Sequence, residues 1–208
     1  MLNNFNHISP HYRFLSKLVF GNSISSSQLH LLKYLPPTGR MAIIGGGNGE
    51  ILNYIYQQAP TIEILFVEAS SGMISKAKKL QYKKQTVSYL HNSTFELEDF
   101  CPDLIFLPYI LDMYDEQEIY KIVHCLIAQS QKNTKWFVSD FSKDKISNGT
   151  WFNKLRLKLS IIFFKITTGH RLSYLPDIFN TLGKAGLKSL EISKYESVFL
   201  KASLYISE

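Results

Sequence analysis

The run Met41-Ala42-Ile43-Ile44 stops at Gly45-Gly46-Gly47-Asn48-Gly49, and a helical pattern opens at Glu50. An apolar stretch that ends on four glycines is a buried strand, a tight turn and a helix start. Glycine supplies positive φ and, lacking Cβ, lets a ligand come close to the backbone. The helix behind the turn directs free N–H groups and its positive end at the space above it. Such a corner suits a nucleotide-like ligand. A plain structural turn remains the other reading, since many tight turns need glycine.

Spacing narrows the choice. The dinucleotide fingerprint G-x-G-x-x-G would need glycine at position 50 or 52, where Glu50 and Leu52 stand. The pattern that fits is G-x-G-x-G, at Gly45, Gly47 and Gly49. The apolar run 61–67 then reads as a second buried strand and ends at Glu68, 19 positions after Gly49. An acid at the tip of a second strand can accept hydrogen bonds from the two hydroxyls of an adenosine ribose. The alternative is a solvated glutamate capping the next helix.

The rest of the chain alternates. Residues 5–35 are helical with a break at 21–23, and 36–39 turn into the first strand. Helix 50–58 is stopped by Pro60. Helix 71–83, strand 86–90, strand 103–108, helix 114–131 and strand 135–140 follow. Strands alternating with helices of this length mean right-handed crossovers and a parallel sheet. Helices at 150–168 and 173–182 come next, and 187–193 with 199–206 alternate as an antiparallel pair. A chain of 208 residues without linker or repeat is one domain, 1–208, with a helical N-terminal lid at 1–35 and a helical insertion at 150–182 on the substrate side.

Composition excludes several classes. The net charge of +6 sits on scattered lysines such as Lys76, Lys78, Lys79, Lys83 and Lys84, without aromatic interleaving or a nucleic-acid module. Two cysteines, Cys101 and Cys125, form neither a disulfide framework nor a C-x-x-C metal site, so no metal is expected and the compartment is reducing, the cytoplasm. No signal-peptide pattern and no uncharged apolar stretch of about 18 residues is present.

Three segments, IIGGGNG, FVEASSGMISKAKK and PDLIFLPYILDMYDEQE, resemble the class I S-adenosylmethionine-dependent methyltransferases. Glu68, Ser70, Met73 and Ala77 stand at the places of the family's acid-x-S-x-x-M-x-x-x-A run. Phe5, Tyr12 and the phrase LVFG are similar to the opening of the small quinone-biosynthesis type. The resemblance covers about positions 5 to 205. It implies a Rossmann-like, doubly wound, mostly parallel α/β sheet with a C-terminal antiparallel hairpin and helices on both faces. It also implies S-adenosylmethionine as cofactor.

The same resemblance distributes roles. Gly45, Gly46, Gly47, Asn48 and Gly49 would bring backbone to the methionine part of the cofactor, Glu68 would hold the ribose, and Ala69 would touch the adenine edge. Asn92 stands where the family often has an aspartate for the adenine amino group; an amide oxygen can also accept, although Asn92 is equally an ordinary turn residue. Leu107 and Pro108, with Tyr109, leave the fourth strand beside the sulfonium, or form a simple strand exit. Tyr12 matches the lid tyrosine, but Arg13 replaces the acid that usually follows it.

Methyl transfer needs a base only where the acceptor must lose a proton, and His7, His11, Asp140 and His170 are candidates. Each lone histidine can equally be a packing or surface residue. Asp140, just after the fifth strand, lies on the ligand side. The stretch 151–166 places Lys154, Lys158 and Lys165 on one face and Trp151, Leu155, Leu159, Ile162 and Ile166 on another. It reads as a core helix, as a lid over a greasy acceptor, or as a peripheral membrane contact. The expected function is methyl transfer to oxygen or carbon of a small apolar or aromatic acceptor. The alternatives are an inactive scaffold of the same fold and a nicotinamide-linked oxidoreductase.

Overall fold

The computed structural model describes residues 23–80, 86–143, 174–196 and 200–207. Expectations for the helices at 5–22 and 150–168 lie outside them.

The first described helix is α1 (Ser23–Leu32); the break expected at 21–23 lies at the edge of the described residues. The strands are β1 (Arg40–Ile44), β2 (Glu63–Glu68), β3 (Val87–His91), β4 (Leu104–Pro108), β5 (Lys135–Phe141), β6 (Leu187–Glu196) and β7 (Leu200–Ser207). Between them lie α2 (Glu50–Gln58), α3 (Ser71–Lys78), α4 (Glu116–Ala128) and α5 (Ile178–Lys184). One seven-stranded sheet runs in the order β3-β2-β1-β4-β5-β7-β6. The pairings among β1 to β5 are parallel; β7 is antiparallel to both β5 and β6. The anticipated parallel sheet with an antiparallel hairpin is present, with β7 inserted between β5 and β6.

Strand alternation divides the core between two faces. Ala42, Ile44, Leu65, Val67, Ile105, Leu107, Trp136 and Val138 pack under α4 and α5, through Ile119, Val123, Leu126, Ile178 and Leu182. Met41, Ile43, Ile64, Phe66, Phe106 and Phe137 pack against α1 and α2, through Leu31, Leu32, Leu52 and Ile55. β1 lies between β2 and β4, so chain order reverses there. At such a switch point two loops leave in opposite directions and open a crevice at the carboxyl ends of the strands.

Several boundaries differ from the sequence reading, among them those of three helices. The helix expected over 114–131 is α4, Glu116–Ala128, preceded by a 3-10 turn at Leu111–Met113. Asp115 starts α4 because its side chain accepts the Glu118 N–H (2.8 Å) while the Glu118 carboxylate accepts the Asp115 N–H (3.0 Å). The helix expected over 173–182, part of the 150–182 insertion, is a helix from Ile178 only. Pro176 disfavours helical geometry in the residue before it. The helix expected over 71–83 is assigned as α3, Ser71–Lys78, and tightens at its end through Lys79 N–H to Lys76 and Leu80 N–H to Ala77.

Candidate functional site

The glycine turn leaves β1 at the switch point. Gly45 N–H donates to the Val67 carbonyl (2.8 Å), and Gly49 N–H donates to Gly46 (3.2 Å). Three of the four glycines are demanded by packing. A Cβ on Gly45 would sit 2.7 Å from Ile110, on Gly46 2.3 Å from the Phe66 ring, and on Gly49 2.6 Å from Ala77. Gly47 differs: its φ is 60°, and among the described residues no atom lies within 4 Å of an added Cβ. Its backbone faces open space, as close approach of a ligand requires. Asn48 accepts the Glu50 N–H through its side-chain oxygen (3.3 Å), supporting the entry to α2.

Glu68 closes the far side of the crevice. It is only 8% exposed, and its carboxylate spans the switch point. One oxygen accepts Gly47 N–H at 3.0 Å, the other Ser70 N–H at 2.9 Å. Burial pushes its pKa above the ordinary carboxylate value, against the opposing pull of the Ser70, Gly47 and Ala69 N–H groups and of His91. A carboxylate has about four acceptor positions, so further hydrogen bonds remain open to it.

The neighbouring residues take distinct places. Ala69 is exposed, and its carbonyl contacts His91 Nε2 at 2.9 Å. Met73 lies half-buried on the first turn of α3, its N–H held by Ser70 Oγ (3.3 Å). The Asn92 side-chain oxygen accepts both the N–H (2.8 Å) and the hydroxyl (2.9 Å) of Thr94, which is the turn geometry, while its backbone N–H reaches Glu68. Leu107 and Pro108 are buried in β4. Tyr109 follows with φ 56°, its hydroxyl bonded to Ser27 of α1 and its ring 5.7 Å from that of Phe141. Tyr12, His7, His11, His170 and the 151–166 stretch lie outside the described residues.

Asp140 is fully buried at the end of β5. Its oxygens accept the N–H groups of Leu111 (3.0 Å) and Phe141 (2.8 Å). The sequence reading passed over its neighbour. Asp112, in the 3-10 turn that leaves β4, also donates its backbone N–H to Asp140. Burial lifts the Asp112 carboxyl to about 7, and burial together with Asp112 lifts Asp140 well above the ordinary range. The available signal was an acid in each of the exit segments of two adjacent strands. A second concavity of about 580 Å³ lies between α4 and α5, lined by Glu116, Lys121, Lys143, Asp177 and Lys184 among others, and shares no residue with the glycine turn. Among the described residues no cluster of three or more potential metal ligands occurs, and no helix is long and apolar enough to cross a membrane.

No protein-family model and no curated protein matches the sequence. Solved structures do match. Human N-acetylserotonin methyltransferase, crystallised with S-adenosylmethionine, superposes with a TM-score of 0.67 at 14% identity, over 94% of this chain and 55% of that one. An O-methyltransferase family 2 protein from Planctomyces limnophilus, in complex with apigenin, gives 0.67 at 14% identity over 99% and 63%. Magnesium protoporphyrin IX methyltransferase from Synechocystis, with bound S-adenosylhomocysteine, gives 0.67 at 13% identity over 98% and 96%. The chain thus spans 55% and 63% of the first two and nearly all of the third. Sheet order, glycine turn and these superpositions together give the chain the fold of the class I S-adenosylmethionine-dependent methyltransferases.

Proposed function

We propose that the chain binds S-adenosylmethionine across the β1 and β2 exits and transfers its methyl group to a small apolar or aromatic acceptor. The observation that carries the reading is the Glu68 carboxylate bonded to Gly47 N–H at 3.0 Å across the switch point, beside a Gly47 whose outer face is open. The donor and acceptor chemistry fits an adenosyl group. Glu68 would take the ribose hydroxyls through its remaining lone pairs, and Gly47 would let the methionine part lie against backbone. Met73 would supply apolar contact. When bound, that group supplies a methyl activated by a positively charged sulfur; the chain's own task is to orient the acceptor in line and exclude water.

Supporting an aromatic acceptor are the Tyr109 and Phe141 rings at the same carboxyl edge and the apolar sequence of 151–166. The P. limnophilus neighbour was crystallised with apigenin, a phenolic compound.

Calorimetric titration with S-adenosylmethionine, S-adenosylhomocysteine and NAD tests the cofactor. The first two should bind and NAD should not. Glu68→Ala should weaken binding by about 1–3 kcal/mol, the size of a lost charge-assisted hydrogen bond. Binding of NAD alone would favour an oxidoreductase, and binding of none a scaffold. Labelled cofactor incubated with fractionated extract, followed by identification of the product, tests the acceptor; a polar, non-aromatic product would refute that part.

A further inference from the structure

Asp112 and Asp140 stand at the exits of paired strands. β4 and β5 run in parallel with Pro108 opposite Ser139, so the segments that follow both meet at the carboxyl edge beside the switch point. Asp140 is fully buried, and the N–H groups of Leu111, Phe141 and Asp112 occupy its carboxylate. It cannot meet a substrate, but it fixes the turn that carries Asp112. Asp112 keeps part of its surface exposed. Among the described residues neither carboxylate has an ion-pair partner. Unpaired buried acids are costly to a fold and cluster where chemistry needs them.

We infer that Asp112 is the residue that accepts the proton of a phenolic acceptor, and that Asp140 is the positioning residue that holds it at the edge. The inference rests on the methyl-transfer reading above. In the step the acceptor's O–H bond breaks and its proton passes to the Asp112 carboxylate. The oxygen's electron pair forms the new bond to the methyl carbon. The carbon–sulfur bond breaks with its pair left on sulfur, which goes from sulfonium to neutral thioether. A carboxyl raised by burial to about 7 is matched to such a transfer at neutral pH, where an ordinary aspartate is too weak a base. The Tyr109 and Phe141 rings, 5.7 Å apart at the same edge, offer a wall for the acceptor ring.

A series of phenols of graded acidity, from 4-methylphenol to 4-nitrophenol, tests the assignment with S-adenosylmethionine as donor at about pH 8.5, where 4-nitrophenol is already ionised and 4-methylphenol, like tyrosine, is not. Asp112→Asn should lower turnover of 4-methylphenol by about 100-fold or more, the range of a lost general base, with the loss shrinking toward 4-nitrophenol. A structural role would reduce all members alike, and an equal loss overturns the inference. A second measurement needs no turnover. With S-adenosylhomocysteine bound, 4-nitrophenolate is titrated in two buffers of different ionisation heat at the same pH. Wild type should take up about one proton per phenolate bound, because the anion lands beside the ionised Asp112 and linkage draws a proton in. Asp112→Asn should take up far less. No uptake by wild type, or no binding or turnover of any phenol, overturns the inference. Binding of S-adenosylmethionine itself, measured in parallel, separates the cases. If it binds while the phenol tests fail, only the Asp112 assignment falls; if it does not bind, the methyl-transfer reading falls too.

Discussion

Alanine at Gly46 and at Gly47 should produce opposite losses. At Gly47 the φ of 60° lies in the left-handed region, which costs an L-residue about 1–2 kcal/mol. Alanine also restricts the unfolded chain, which returns about 0.4–1 kcal/mol where geometry permits. With no atom of the described residues within 4 Å of the new methyl, none of them clashes with it. The net cost should be about 1 kcal/mol, a fall in Tm of about 2–4 °C for a domain of this size. The methyl nevertheless stands in the open space where the cofactor would meet the backbone, so S-adenosylmethionine affinity should drop at least tenfold, about 1.4 kcal/mol. At Gly46 the new Cβ would lie 2.3 and 2.5 Å from two atoms of the Phe66 ring, which is fully buried. That ring cannot move without disturbing the core, and overpacking of this kind costs about 1–3 kcal/mol or more. Urea unfolding and calorimetric titration on both variants decide the matter. If Gly47→Ala binds the cofactor like wild type, the open face of the turn is not where a ligand lies. If Gly47→Ala is the more unstable of the two, the division of the turn into packed and open glycines is wrong.

Two further outcomes concern stability. The Asp115 capping box should be worth about 1 kcal/mol, so Asp115→Ala should lower the urea midpoint while leaving cofactor affinity within twofold. His30 packs its ring against Tyr34 and Tyr195, with Nε2 buried and without a hydrogen-bond partner among the described residues. Burial, with help from Lys33, holds its pKa below the ordinary value of 6.5. The unfolded chain therefore binds the proton more readily than the folded one. The stability associated with neutral His30 is complete above pH about 6.5 and is lost as pH falls toward the depressed folded value. The raised Asp112, Asp140 and Glu68 carboxyls slope the other way in this window, so the test is the difference in unfolding midpoint between wild type and His30→Phe: wild type should lose midpoint relative to the variant as pH falls from about 6.5 toward 5; an unchanged difference would place the acid sensitivity elsewhere.

What could be read from the sequence was what neighbouring residues decide together. Four glycines after Ile44 can only end a strand, and Pro60 can only end a helix, so β1, its turn and α2 were legible, as was the acid at the tip of β2. The start of α4 was misjudged by two residues because Asp115 and Glu118 compete with the apolar period by bonding each other's backbone. α5 was misjudged because the periodic signal continues through Pro176, where the backbone cannot. The Asp112 and Asp140 pair was half seen. Asp140 drew notice for its place after β5, yet what makes it informative is the Leu111 amide 29 residues earlier, and that contact exists only once β4 and β5 are paired. The same reasoning separates the two halves of the site. The proposed adenosyl half rests on a turn and a strand tip whose chemistry is local. The proposed acceptor half rests on groups that the sheet alone assembles. A chain of this fold can therefore keep a recognisable cofactor corner while its acceptor edge changes residue by residue. Under the proposed function, acceptor specificity would lie at Tyr109, Asp112 and Phe141, with Asp140 holding the Asp112 turn, rather than in the glycine turn.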